Sequence, residues 1–186
     1  SLNATTKMPG TTAVWSNASR PMVGYGFQDN EVKSGIVLFS NVLYWNASLG
    51  LAEMATQRGD HSMSQRLVAN AASLRAYVSK QLWNEQTGVF MASTGLEAEN
   101  VDLWANAAAA ACGFATATQS ARIFAYFRAH ADEIFYDGQV RQIPFPTQWL
   151  DTSTAVHIDP KSTVRTYQVF GYLSFVRHLI PGVDNF

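Results

Sequence analysis

Gly35-Ile36-Val37-Leu38-Phe39-Ser40-Asn41-Val42-Leu43-Tyr44-Trp45-Asn46-Ala47-Ser48-Leu49-Gly50-Leu51-Ala52-Glu53-Met54-Ala55 holds a single charge, Glu53, and the flanking charges are Lys33 and Arg58. Its apolar and small residues form two helical stripes, one of Ile36, Phe39, Leu43, Ala47, Gly50 and Met54, the other of Val37, Tyr44, Leu51 and Ala55. A helix over about 34–58 is therefore apolar nearly all round, and such a helix is expected to be enclosed by protein. Gly59 suits the residue just past its end. The next helix, 62–84 with Ser62 as its expected N-cap, is different. Leu67, Ala71, Leu74, Val78 and Leu82 make one stripe while Arg66, Arg75 and Lys80 fall elsewhere, the pattern of a surface helix. A connection as short as 59–62 makes the two helices antiparallel neighbours.

The same alternation returns downstream. Leu82 to Met91 closes the second helix, turns at Gly88 and offers a brief extended piece. Residues 101–114, with the alanine tract to Ala111, read as a second inner helix. Residues 118–132 read as a second outer one, with Ile123, Phe124, Phe127, Ala131 and Ile134 as its stripe. A turn-rich stretch, 135–162, precedes a mostly apolar helix expected over 163–179, which Pro181-Gly182 stops. Inner helices thus start near 34, 101 and 163, a period of roughly 65 residues. The expected fold is all-α: repeated αα-hairpins, inner and outer helix layers, in one domain over 1–186 with a loop-rich segment at 1–24.

Composition narrows the function. With 186 residues, 47% hydrophobic and 15% charged, the chain is globular, and no apolar stretch is long enough to span a bilayer. A formal charge of -1 argues against nucleic acid as partner. Cys112 is the only cysteine, so no disulfide or thiolate cluster is expected within the chain. His61, His130, His157 and His178 are too scattered for a metal site, and no cofactor fingerprint is present. No signal peptide is legible at the N-terminus. Acceptor sequons at Asn3 and Asn17 would matter in a secretory compartment; a third, at Asn46, falls inside a helix expected to be buried.

The alternation, the inter-hairpin run Leu82-Trp83-Asn84-Glu85-Gln86-Thr87-Gly88-Val89-Phe90 and the loop Gly24-Tyr25-Gly26-Phe27-Gln28-Asp29-Asn30-Glu31 ahead of an inner helix resemble the six-hairpin (α/α)6 toroid glycosidases. Among these, the processing α-glucosidases, debranching α-1,6-glucosidases and α-L-rhamnosidases are most similar. Gly138-Gln139-Val140-Arg141-Gln142 with Trp149 adds to the likeness, which covers about 24–167. Two hairpins and the inner helix of a third make the chain resemble part of such a toroid. Missing hairpins would leave apolar helix faces open, so self-association, or pairing with the remainder of the toroid, is expected.

The resemblance implies inverting hydrolysis of a glycosidic bond. One carboxylic acid protonates the leaving oxygen while a second carboxylate, about 6.5–9.5 Å away, activates water. On the loop likeness Asp29 is the candidate acid, with Tyr25 and Phe27 to desolvate it; Asp29 also reads as a turn or capping residue. Glu99 and Asp102, with Glu97, stand at the corresponding end of the next inner helix and are candidates for the second carboxylate, though a negative charge there also compensates the helix dipole. Trp15, Trp104 and Trp149, with Tyr25 and Phe27, are candidate sugar platforms, and Arg141, Gln139 and Gln142 are candidate hydroxyl partners. A non-catalytic scaffold or carbohydrate-binding fragment is the alternative. Epimerase chemistry would call for paired histidines, which the sequence lacks.

Overall fold

A computed structural model describes residues 15–16, 33–95, 97–136 and 138–147. Strand β1 (Trp15–Ser16) pairs antiparallel with β2 (Gly35–Ile36), which leads into helix α1 (Leu38–Gln57). Helix α1 ends in a Schellman motif, with Gly59 N–H donating to Thr56 and Asp60 N–H to Ala55. Asp60, rather than Ser62, then caps helix α2 (His61–Leu82) by accepting from Met63 N–H at 2.9 Å. Strands β3 (Trp83–Asn84) and β4 (Val89–Phe90) form a hairpin that returns the chain to helix α3 (Leu103–Ala111). Helix α4 (Ala117–Ala129) starts in a capping box made by Thr116 and Gln119. A single turn, α5 (Ala131–Ile134), and the hairpin of β5 (Phe135–Tyr136) with β6 (Gln139–Val140) follow.

The all-α expectation is corrected here. The described region is about 60% helix and carries three two-stranded antiparallel sheets. Their cause is local. After each outer helix a glycine, Gly88 at φ 74° or Gly138 at φ 73°, reverses the chain in a conformation that L side chains resist, so two short extended pieces meet. The aromatics Trp83 and Phe135 then favour the pleated state.

The two hairpins pack through their first helices: α1 touches α2 and α3, and α3 touches α4. An aromatic seam joins them, Trp45 to Phe114 at 5.6 Å, Phe114 to Phe90 at 6.0 Å and Phe90 to Trp83 at 4.8 Å, each edge to face. Arg122 of α4 closes the seam on the outside. Its guanidinium lies 5.3 Å from the Trp83 ring and donates to the carboxylate and the backbone carbonyl of Glu85, which holds the Glu85 carboxyl below the usual carboxylate range.

Of the stripes expected for the outer helices, Ala71, Leu74, Val78, Leu82, Ile123, Phe127 and Ile134 are buried, while Leu67, Phe124 and Ala131 are half-buried. Helix α1 departs from expectation. Leu38, Val42, Trp45, Ala52 and Ala55 are buried, but Leu43, Tyr44, Leu51 and Met54 are exposed, the last by 59%, and so is Asn46. Both of its faces are apolar, and the face bearing Leu43, Leu51 and Met54 is the more exposed of the two.

Two hairpins, one backbone plan

The period seen in the sequence corresponds to a repeated set of bonds. In the first unit Leu38 N–H, opening α1, donates to Ala92 at 2.9 Å; in the second, Leu103 N–H, opening α3, donates to Gln142 at 2.8 Å. Met91 N–H donates to Leu82, and Arg141 N–H donates to Ile134, each at 2.8 Å. Val37-Leu38-Phe39-Ser40-Asn41 therefore corresponds to Asp102-Leu103-Trp104-Ala105-Asn106, and in both the asparagine side chain bonds back to the carbonyl four residues earlier. Each hairpin is closed by its own following β-ribbon, and the carbonyl two residues past that ribbon accepts from the first N–H of the inner helix. An intervening loop can then vary freely without disturbing the repeat.

Candidate functional site

The starts of α1 and α3 lie at one end of the molecule because Ala92 ties them together: its C=O accepts from Leu38 while its N–H donates to Asn100 at 2.8 Å. Beside this knot the chain entering α1 runs against 93–95. Thr94 N–H donates to Ile36, Gly95 N–H to Ser34, and Ile36 N–H to Thr94 Oγ1. The approach requires glycine. Gly35 has φ 75°, and a methyl there would collide with Thr94 Oγ1 and stand 2.9 Å from Gly95 N. Gly35→Ala is expected to lower unfolding free energy by about 2 kcal/mol, left-handed strain plus overlap; urea melts showing no change would contradict this packing.

Asp102 sits under the knot. Its Oδ1 accepts from Ala105 N–H at 2.9 Å as the N-cap of α3, and its Oδ2 accepts from Lys33 Nζ at 2.8 Å. Lys33 is 0% and Asp102 2% exposed. The carboxylate is thus held on one oxygen by the positive end of a helix and on the other by a buried ammonium. Lys33 escaped sequence reasoning because its partner is 69 residues away. The one available signal was its position at the edge of an apolar run.

Glu97 is half-buried, adopts φ 69° and accepts a hydrogen bond from Asn100 Nδ2. Glu99, in the same turn, is exposed. Trp104 is half-buried, its indole N–H directed at Val140 C=O 3.4 Å away. The Arg141 guanidinium lies 4.9 Å from the Tyr136 ring and 5.3 Å from the Phe145 ring, both exposed. Gln142 is buried, and the buried Oε1 of Gln139 has no hydrogen-bond partner among the described residues. The structure therefore brings Asp102, Glu97, Glu99, Trp104, Arg141 and Gln142 to the segments around the start of α3. Asp29, Tyr25, Phe27, Trp149 and His157 lie outside the described residues, and Trp15 is placed by its backbone alone.

Between α1 and α3 runs a groove of about 300 Å³ lined by Phe39, Val42, Leu43, Trp104, Ala108 and Cys112, among others. Its walls are apolar, and burial pushes the Cys112 thiol pKa up. Among the described residues no three His, Cys, Asp or Glu side chains are grouped to hold a metal ion, and no helix is long and apolar enough to cross a membrane.

No family model matches the chain, and no curated protein matches it. Function is read from the site.

Proposed function

We propose that the chain is glycosidase-like and acts on oligosaccharides at the end where α1 and α3 begin. The observation that carries this reading is that the start of α3 bears the carboxylates Glu99 and Asp102 and the Trp104 ring, and that the Leu103 N–H bond to Gln142 C=O ties to it the segment bearing Arg141, whose guanidinium meets the Tyr136 and Phe145 rings. Flat rings suit sugar faces and planar donors suit hydroxyls.

In this reading Asp29 gives its proton to the glycosidic oxygen as the bond to the anomeric carbon breaks. Water attacks that carbon from the opposite face and loses a proton to a second carboxylate. Glu99 is the better base, being exposed, while Asp102 already has both oxygens engaged and serves to fix the start of α3. Release of free sugar from a panel of α-glucosides, α-rhamnosides and oligosaccharides tests it. Asp29→Asn and Glu99→Gln are each expected to lose roughly a hundredfold or more in kcat, with Glu97→Gln close to wild type. Absence of turnover by the wild-type chain on every substrate would end the hydrolase reading.

The pairing of Asp102 with Lys33 favours a second reading, a carbohydrate-binding or scaffold module without catalysis. Calorimetric binding of a sugar that is never cleaved, weakened by Trp104→Ala, would select it.

A further inference from the structure

We infer that Asn46 carries an N-linked glycan whose first sugar lies over the exposed apolar face of α1. The acceptor triplet is Asn46-Ala47-Ser48, in a helix that the sequence alone leads one to expect buried, where so bulky a group has no room. The structure puts it on the surface. Asn46 is exposed, as are Leu43, Ala47 and Gly50 beside it on the helix. Among the described residues no heavy atom lies within 4 Å of where a Cβ on Gly50 would stand, so the surface one turn beyond Asn46 is clear. Asn41, the other asparagine of α1, shows what a structural role looks like: it is buried, and its Nδ2 donates to Val37 C=O at 2.7 Å. Asn46 makes no side-chain hydrogen bond to a described residue. Asparagine is a poor helix former, so an exposed, unbonded one in mid-helix does nothing for the fold.

Placement follows from helix geometry. Side chains on a helix lean toward the preceding turn, so a sugar on Asn46 Nδ2 starts over Leu43. Leu43 and Leu51 are each 50% exposed and Met54 59%, an apolar surface that the C–H face and acetyl methyl of an N-acetylglucosamine can cover while its hydroxyls stay in water. The donor is a lipid diphosphate oligosaccharide of the secretory membrane. The Asn46 carboxamide nitrogen bonds to C1 of the sugar as the C1–O bond to diphosphate breaks; the lipid diphosphate leaves with the electron pair, and the proton from Nδ2 passes to a base of the transferase. Ser48 sets the order of events. Its hydroxyl is part of the acceptor signal, yet in folded α1 Ser48 is buried and its Oγ donates to Tyr44 C=O at 2.7 Å. Transfer therefore precedes the folding of α1, and folding then leaves Asn46 outside.

The full chain, routed through the secretory pathway of cultured eukaryotic cells, supplies the test. Enzymatic removal of an N-glycan leaves aspartate in place of asparagine, so peptide mass spectrometry reads each acceptor separately. Conversion at Asn46 is expected, and Asn46→Gln and Ser48→Ala are each expected to lose the same single step in gel mobility. Because transfer comes before folding, chain retained in the cell is read in the same way as chain that is exported. Asn46 left unconverted in both would overturn the proposal, whatever the state of Asn3 and Asn17. The cover over α1 has its own readout. Asn46→Gln keeps any sugars at the other two acceptors, and it is expected to bind more hydrophobic dye than wild type and to shift in sedimentation from monomer toward dimer. Equal dye binding and equal sedimentation would overturn the placement over Leu43 and Met54.

Discussion

Lys33→Met is expected to destabilise the protein by about 3–5 kcal/mol, a large share of the stability of a domain this size. The ammonium is fully buried, and Nζ lies 2.8 Å from Asp102 Oδ2. Methionine fills similar space without a charge, so the loss is not one of volume. What remains is a buried carboxylate with the Ala105 N–H and the α3 dipole on one side and, among the described residues, no cation bonded to the other. The Lys33→Met, Asp102→Asn double variant is the control. Asparagine keeps the oxygen that caps α3 and removes the charge, so the pair of changes is expected to recover to within about 1.5 kcal/mol of wild type. Guanidinium melts of the four members of the cycle measure this, and the single variant should melt roughly 10 °C lower. A Lys33→Met loss below about 1 kcal/mol would mean that the pair is hydrated like a surface salt bridge.

The same ion pair shows where sequence reading stops. The outer-helix stripes were legible because a period of 3.6 needs no knowledge of the partner: Leu74, Val78 and Leu82 announce a buried face wherever that face lands. The spacing of about 65 residues between the first two inner helices was legible too, as architecture, while the third helix expected over 163–179 lies outside the described residues. Its finer form, Val37 to Asn41 matched with Asp102 to Asn106, became visible only when both asparagines were seen bonding to the carbonyl four residues back. The extended piece after Gly88 was anticipated, but β1–β2, β3 and β5–β6 were missed as strands because two residues are too few to show a period of two. For Asp102, chain position alone could not separate a catalytic carboxylate from a helix cap, since both chemistries favour a negative charge at a helix start. Only the ammonium of Lys33, from a distant part of the chain, tells how the second oxygen is used.

Asn106→Leu is expected to cost about 4 kcal/mol, although leucine has the same branched shape and suits a buried helix better. Asn106 is fully buried, and its side chain acts as a substitute strand. Oδ1 accepts from Phe90 N–H at 2.8 Å, while Nδ2 donates to Phe90 C=O at 2.9 Å and to Asp102 C=O at 2.9 Å. Phe90 lies on β4 opposite Trp83, and the adjacent ladder bond runs from Met91 N–H to Leu82, so both backbone groups of Phe90 turn away from β3 toward α3. Leucine would leave this donor and acceptor buried without partners at about 1–3 kcal/mol each. Phe90 is also the middle of the seam from Trp83 to Phe114, so a shift of β4 to find water would cost edge-to-face contacts between the hairpins. Amide hydrogen exchange separates the local effect from general loosening. Phe90 N–H should lose more protection than the amides of α2, which the side chain does not touch. Equal loss at both places would show Asn106 to be a packing residue, and the side-chain link between the ribbon and α3 would lose its energetic role.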